Sequence, residues 1–185
     1  DQWVRLERIT DASHCLRLAD RQLCEVQMDD FERFLPQAFF AVYLGMLPSG
    51  LKVAELGFWL LNQGAFNTPQ VQKRNDFGIV LVLDPAVCEL SLTFGYAIER
   101  YFDEATQQRL LEKAARHLRF QGYGAAIREL IQGCLTVLQR NAKRQTRKAV
   151  LEGIFPELMV QPLRSGHPVS QTGWRHSVGG RSLNE

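Results

Sequence analysis

"FGIVLVLDPAVCELSLTFGY", residues 77–96, decides how the rest of the chain is read. From Phe77 to Leu83 no polar side chain occurs, the pattern of a strand buried on both faces. Asp84–Pro85 stops the run, since proline has no N–H to give to a ladder. After "DPAV" the polarity alternates: Cys88, Leu90, Leu92 and Phe94 fall on one side, Glu89, Ser91 and Thr93 on the other. That is a strand with one wetter face. A link this short joins only antiparallel neighbours, because a parallel pair needs a crossover. The spacing therefore predicts a hairpin of 77–83 with 88–94, its second strand toward the sheet edge.

Working outward, "QAFFAVYLGML" (37–47) lacks charge, is rich in aromatic residues and reads as a second covered strand. "LKVAELGFWLLNQG" (51–64) is a helix with a wide apolar face, and 66–76 is a polar connection. Residues 1–35 read as irregularly helical, with Leu23, Val26, Phe31, Phe34 and Leu35 near spacings of three and four and Pro36 closing the run. Two further helices, 104–119 and 123–138, carry broad apolar stripes and meet at Gly122-Tyr123-Gly124. The order helix, strand, helix, strand–strand, helix, helix implies a small mixed sheet with helices on its faces. The expected organisation is one α/β domain over 1–138, a basic helical extension with a short apolar segment over 139–160, and a turn-forming tail over 161–185.

The chain has 185 residues, 45% of them hydrophobic and 23% charged, which suits one globular domain with a real core. A net charge of +2 with interspersed signs does not point to nucleic acid. No stretch approaches the ~20 continuous apolar residues of a membrane-spanning helix. The chain opens at Asp1 rather than at methionine, so its start says nothing of a leader or anchor. Cys15, Cys24, Cys88 and Cys134 lie far apart with no CxxC pair, which excludes a zinc pattern and reads as small buried hydrophobes.

Asp76, Asp84, Glu99 and Asp103 all fall at element ends, where acids from several elements can converge on a hard cation such as Ca²⁺. Two of them have local explanations as well: Asp103 before Glu104-Ala105-Thr106 suits a helix N-cap, and Asp84 before Pro85 suits a turn. Glu104 complements the helix dipole. Asp76 and Glu99 have no equally good local role, so they carry the cation hypothesis. Tyr96 either walls the same site or packs over Gly95 to cover the sheet edge. "GYGAAI" lacks the lysine and hydroxyl of a phosphate loop, so no nucleotide cofactor is expected. His14, His117, His167 and His176 are scattered, and no nucleophile, base and orienter come together. The run Arg140, Lys143, Arg144, Arg147 and Lys148 contains no acid and suits either a solvated helix end or contact with anionic lipid or an acidic partner.

The ordered pieces within 74–138 carry a resemblance. Asp76 and Gly78 lead into the apolar strand, and the second strand ends in Gly95-Tyr96 with Glu99 nearby. Asp103 opens a helix, and Gly122 through Ile127 form a corner into the last one. In these pieces the chain resembles the TPM domain family, named after a thylakoid lumen protein, a photosystem II repair protein and a nematode receptor-associated protein. The resemblance implies a three-layer α/β/α sandwich with a small mixed sheet. It also implies links to divalent-metal (notably calcium) binding, acid phosphatase activity and accessory roles, in exported, periplasmic or membrane-tethered proteins. Phe77 replaces the family's usual Asn, and Ala97 replaces the last glycine of Gly-Tyr-Gly. The expected function is a binding or accessory module with Ca²⁺ or another divalent cation at Asp76, Glu99, Asp103 and Asp84. Its expected partner is a protein or a membrane-proximal surface. The alternatives are a metal-dependent acid phosphatase and a metal-free interaction scaffold.

Overall fold

Gly78–Asp84 and Glu89–Phe94 pair antiparallel, Leu81 opposite Leu92 and Asp84 opposite Glu89, within a residue of the expected hairpin. They belong to a computed structural model that describes residues 5–63, 65–66 and 75–151. In chain order its elements are β1 (Arg5–Leu6), β2 (Ile9–Asp11), α1 (Leu18–Phe34), β3 (Phe39–Leu44), α2 (Val53–Gln63) and β4 (Ala65–Phe66). A 3₁₀ turn (Asn75–Phe77) follows, then β5 (Gly78–Asp84), β6 (Glu89–Phe94), α3 (Tyr96–Glu99), α4 (Glu104–Leu118) and α5 (Tyr123–Leu151). The main sheet has the order β2-β3-β5-β6, with β2, β3 and β5 parallel and β6 antiparallel at one edge. β1 and β4 form a separate parallel pair.

The two side-chain rows of this sheet define the layers. Ile79, Leu81 and Leu83 of β5 join Phe40, Val42 and Leu44 of β3 in the larger core, under α1, α4 and α5. Val80 and Val82 join Phe39 and Ala41 in a smaller core, under Leu60 and Leu61 of α2. Among the described residues the result is a three-layer α/β/α sandwich, with α2 on one face and α1, α4 and α5 on the other. β5 is buried at every position because it has strands on both sides and helices above and below. The connections β2-α1-β3 and β3-α2-β5 step the same way across the sheet yet pass over opposite faces, so they differ in hand. One of them therefore departs from the right-handed rule.

Two expectations change. The stretch 1–35 is not one irregular helix, since α1 begins only at Leu18 and β1 and β2 precede it. Ile9-Thr10-Asp11 is too short to show an alternation of its own and owes its extended form to pairing with Val42-Tyr43-Leu44. The wet face of β6 is partly dry: α2 crosses it, and Ser91 is buried. Gly57 permits that approach, because a Cβ there meets the Thr93 hydroxyl. At the α4–α5 corner the left-handed residue is Gln121 (φ 55°), while Gly122 lies close against the His117 carbonyl, to which its N–H donates at 2.9 Å. α5 runs unbroken across the expected boundary at 138–139, and residues 152–185 lie outside the described set.

α1 is clamped to α5 at its first turn. Asp20 accepts hydrogen bonds from Arg128 (2.9 Å) and Arg17 (2.8 Å). The Arg128 hydrogen bond holds the Asp20 carboxyl below its ordinary value of 3.8, against the opposing effect of burial. A carboxyl depressed on folding contributes stability above its unfolded pKa and loses it as pH falls through the folded one. Asp20→Asn is therefore expected to be about 1–2 kcal/mol less stable than the parent at neutral pH. In urea melts that gap should close below about pH 4; an equal gap at both pH values would contradict the assignment.

Candidate functional site

Antiparallel pairing returns the end of β6 to the start of β5, where the Gly95 N–H donates to the Gly78 carbonyl at 2.8 Å. The 3₁₀ turn and α3 consequently pack against each other at one end of the sheet. Asp76 on the turn and Glu99 on α3 are both exposed there. Asp103, four residues beyond Glu99, is the N-cap of α4: its Oδ1 accepts the Thr106 N–H at 2.8 Å. The Thr106 hydroxyl, and after it this Thr106 N–H bond, hold its carboxyl below the usual carboxylate value. Asp103→Ala is expected to lower the melting temperature at neutral pH, whereas Asp103→Ser keeps a capping oxygen and the parent's melting temperature. Equal melting of the two variants would show that the cap contributes nothing.

Asp84 does not join these three. It closes the opposite end of β5, about 20 Å away along the strand. It is 5% exposed and accepts the Leu47 N–H at 3.0 Å and the Ala86 N–H at 2.8 Å. Its carboxylate fastens the loop after β3 to the hairpin turn. Among the described residues, no group of three or more His, Cys, Asp and Glu side chains is placed to hold a metal ion. The fold thus brings Asp76 and Glu99 to one end, commits Asp103 to a helix cap and sets Asp84 apart.

Tyr96 does not cover Gly95. It is 86% exposed, at the same end as Asp76 and Glu99. The neighbouring Arg100 donates to the Tyr101 hydroxyl at 2.7 Å and lies 4.8 Å from the centre of that ring. His117 is half-buried on α4 and His14 is exposed; His167 and His176 lie outside the described residues. Cys24 and Cys134 are buried, and desolvation pushes both thiols up, Cys24 to about 11. Cys88 is exposed in the hairpin turn with φ 55°, so it is not the buried hydrophobe expected of it.

Two surface features were not among the expected ones. A groove of about 550 Å³ lies between β2 and the start of α1, lined by Ile9, Leu16 and Leu18 with Asp11, His14 and Arg21. Its charged groups are engaged internally. Asp11 accepts the Cys15 and Leu16 N–H groups at 3.2 and 2.9 Å, and Arg21 pairs with Glu7 and Glu25. Reading 1–35 as helix hid this groove. The other feature is the outer face of α2, where Phe58 is 66% and Trp59 46% exposed while Leu60 and Leu61 fill the smaller core. The signal was present in the sequence, as an apolar stripe wider than one side of a helix can bury.

No family model matches the chain, and no curated protein does. Solved structures do. The N-terminal domain of a protein from P. gingivalis superposes with TM-score 0.59 at 18% identity, over 73% of this chain and 83% of that one. The BA42 protein from Bizionia argentinensis gives 0.57 at 9% identity, covering 70% and 86%. The N-terminal domain of the cg2496 protein from Corynebacterium glutamicum gives 0.53 at 13%, covering 70% and 78%. At such identities the likeness is one of fold alone.

Proposed function

We propose that this chain is a TPM-like binding or accessory module that docks a protein partner on the outer face of α2. The observation that carries the reading is the exposed pair Phe58 and Trp59, adjacent on α2, which among the described residues is the helix covering that face of the sheet. Large aromatic side chains left in water on a rigid element are the usual anchors of a protein interface. Because both are exposed, Phe58→Ala with Trp59→Ala is expected to change stability by only about 1 kcal/mol. The same variant should lose association with the partner; a variant that still binds it would reject the reading.

A second reading rests on the placement of Asp76 and Glu99 on adjoining elements: a divalent cation, with Ca²⁺ the natural probe, held at that sheet end with backbone oxygens completing the shell. Calorimetric titration with calcium tests it. Binding should weaken at least about tenfold in Asp76→Asn and in Glu99→Gln. Asp84→Asn should leave it unchanged. No binding at millimolar calcium, or affinity indifferent to both changes, would reject the site.

A further inference from the structure

The main sheet ends in two edge strands, β2 and β6, which are protected to different degrees. β2 is only three residues long and ends in Asp11. β6 is six residues long, contains no proline, pairs with β5 without a bulge and carries a single charge, Glu89, at its start. Edge strands are normally blunted by brevity, proline, lysine or a bulge, because their outer backbone groups pair with any extended chain that reaches them. The ladder shows which groups of β6 face outward. The Gly95 N–H donates to the Gly78 carbonyl, so these two form a hydrogen-bonded pair. Thr93 lies opposite Val80, Ser91 opposite Val82 and Glu89 opposite Asp84, and the same alternation turns the backbone of these three toward β5. The N–H and C=O groups of Leu90, Leu92 and Phe94 therefore point away from the sheet. Among the described residues no strand lies on that side. The side chains of Leu90 and Phe94 pack on the larger core, yet both residues stay partly exposed. Ser91 is an independent sign that the edge is incomplete: it is 7% exposed, and among the described residues its hydroxyl has no hydrogen-bond partner. A buried hydroxyl is rarely left so.

We infer that β6 pairs antiparallel with β6 of a second copy of this chain, about a two-fold axis at Leu92, joining two four-stranded sheets into one. In this register Leu92 faces the partner's Leu92, Leu90 the partner's Phe94, and Phe94 the partner's Leu90. All three carry outward backbone groups, so each pair exchanges both of its hydrogen bonds. Shifting the register by two residues sets one of the three against Cys88 or Tyr96, outside the strand. The two-fold register also sets Ser91 opposite the partner's Thr93 as a close, non-hydrogen-bonded pair, where two hydroxyls reach each other. The orphaned Ser91 hydroxyl thereby gains a partner. Glu89 falls opposite the partner's Gly95, so no like charges meet along the edge. An extended segment of another protein satisfies the outer backbone groups as well, but self-pairing needs nothing beyond the residues this chain already holds at the matching positions.

Sedimentation velocity from about 5 to about 500 µM tests the pairing, a range suited to weak association through a small interface. The parent is expected to pass from monomer to dimer within it. Amide exchange followed by NMR at low and high concentration locates the contact. The Leu90, Leu92 and Phe94 amides should exchange about tenfold more slowly in the dimer, whereas those of Ser91 and Thr93, already bonded to β5, should change much less. Leu90→Pro removes an outward N–H and no bond of the β5–β6 ladder. Its circular dichroism should match the parent's while dimerisation weakens about tenfold or more. Ser91→Ala leaves the backbone untouched. It should weaken dimerisation several-fold without destabilising the monomer, where the hydroxyl is orphaned. A monomer at every concentration, a dimer in which the three amides stay unprotected, or dimerisation indifferent to both substitutions would overturn the inference. Copies joined through the α2 face alone would give the second of these results, which separates this edge from the surface proposed on α2.

Discussion

Phe40→Ala is expected to cost about 4 kcal/mol, the largest effect of any single truncation considered for this fold. Phe40 lies on β3 in the middle of the sheet and has no exposed surface. Its ring meets Phe31 of α1 edge-on, with centroids 5.8 Å apart and planes at 80°, a favoured aromatic geometry. Truncation loses the transfer energy of a benzyl group and leaves a void in the larger core, where sheet and α1 are held apart by their remaining contacts. A domain of this size has only about 5–15 kcal/mol in hand, so the variant should be marginal at room temperature. Urea denaturation followed by circular dichroism would show this as a large fall in midpoint. A loss below about 1 kcal/mol would mean that α1 does not pack on β3 as described.

The second large effect is expected at Gly124, where α5 crosses α1. A Cβ added there stands 2.5 Å from the Asp20 Cβ and 2.6 Å from its Cγ. Neither atom can rotate out of the way, because the Asp20 Cβ is fixed by the α1 backbone and its carboxylate is held by Arg128 and Arg17. Alanine gains up to about 1 kcal/mol over glycine in an exposed helix. Here the overlap outweighs that gain, and Gly124→Ala should be destabilised by about 2 kcal/mol net. Gly133→Ala is the control. Its Cβ meets the terminal methyl of Leu110, an atom that can swing aside, while the next Leu110 carbon is 3.7 Å away. The prediction is a much smaller loss at Gly133; equal losses at the two glycines would contradict the α1–α5 crossing.

The sequence made the hairpin and the two downstream helices legible because each carries a complete local signal. Apolar continuity and a Pro-containing link define β5 and β6, and 3.6-residue stripes define α4 and α5. β1 and β2 were not legible, since two or three residues cannot display a period and their extended form comes from partners far along the chain. The opposite hands of the two crossovers were equally hidden, because which face each helix covers is settled only by packing. At the candidate site, the hairpin reading implied that Asp76 and Glu99 share one sheet end, and its register places them there. The same hairpin sets Asp84 at the far end of a seven-residue strand, although, like the other three acids, it lies at the end of an element. Exposure was the least legible property. Tyr96 and Phe58 look like core aromatics by composition, and only the surrounding layers show that nothing among the described residues covers them.

The central claim is that the face carrying α2 is where a partner docks. A photo-activatable phenylalanine analogue placed at Phe58 in cells measures this most directly, with Leu23 on α1, 52% exposed on the opposite layer, as the comparison position. The account predicts an intermolecular adduct at position 58 that is absent at position 23 and disappears when Trp59 is changed to Ala. No adduct at 58, an adduct only within the chain itself, or equal yields at the two positions would contradict it.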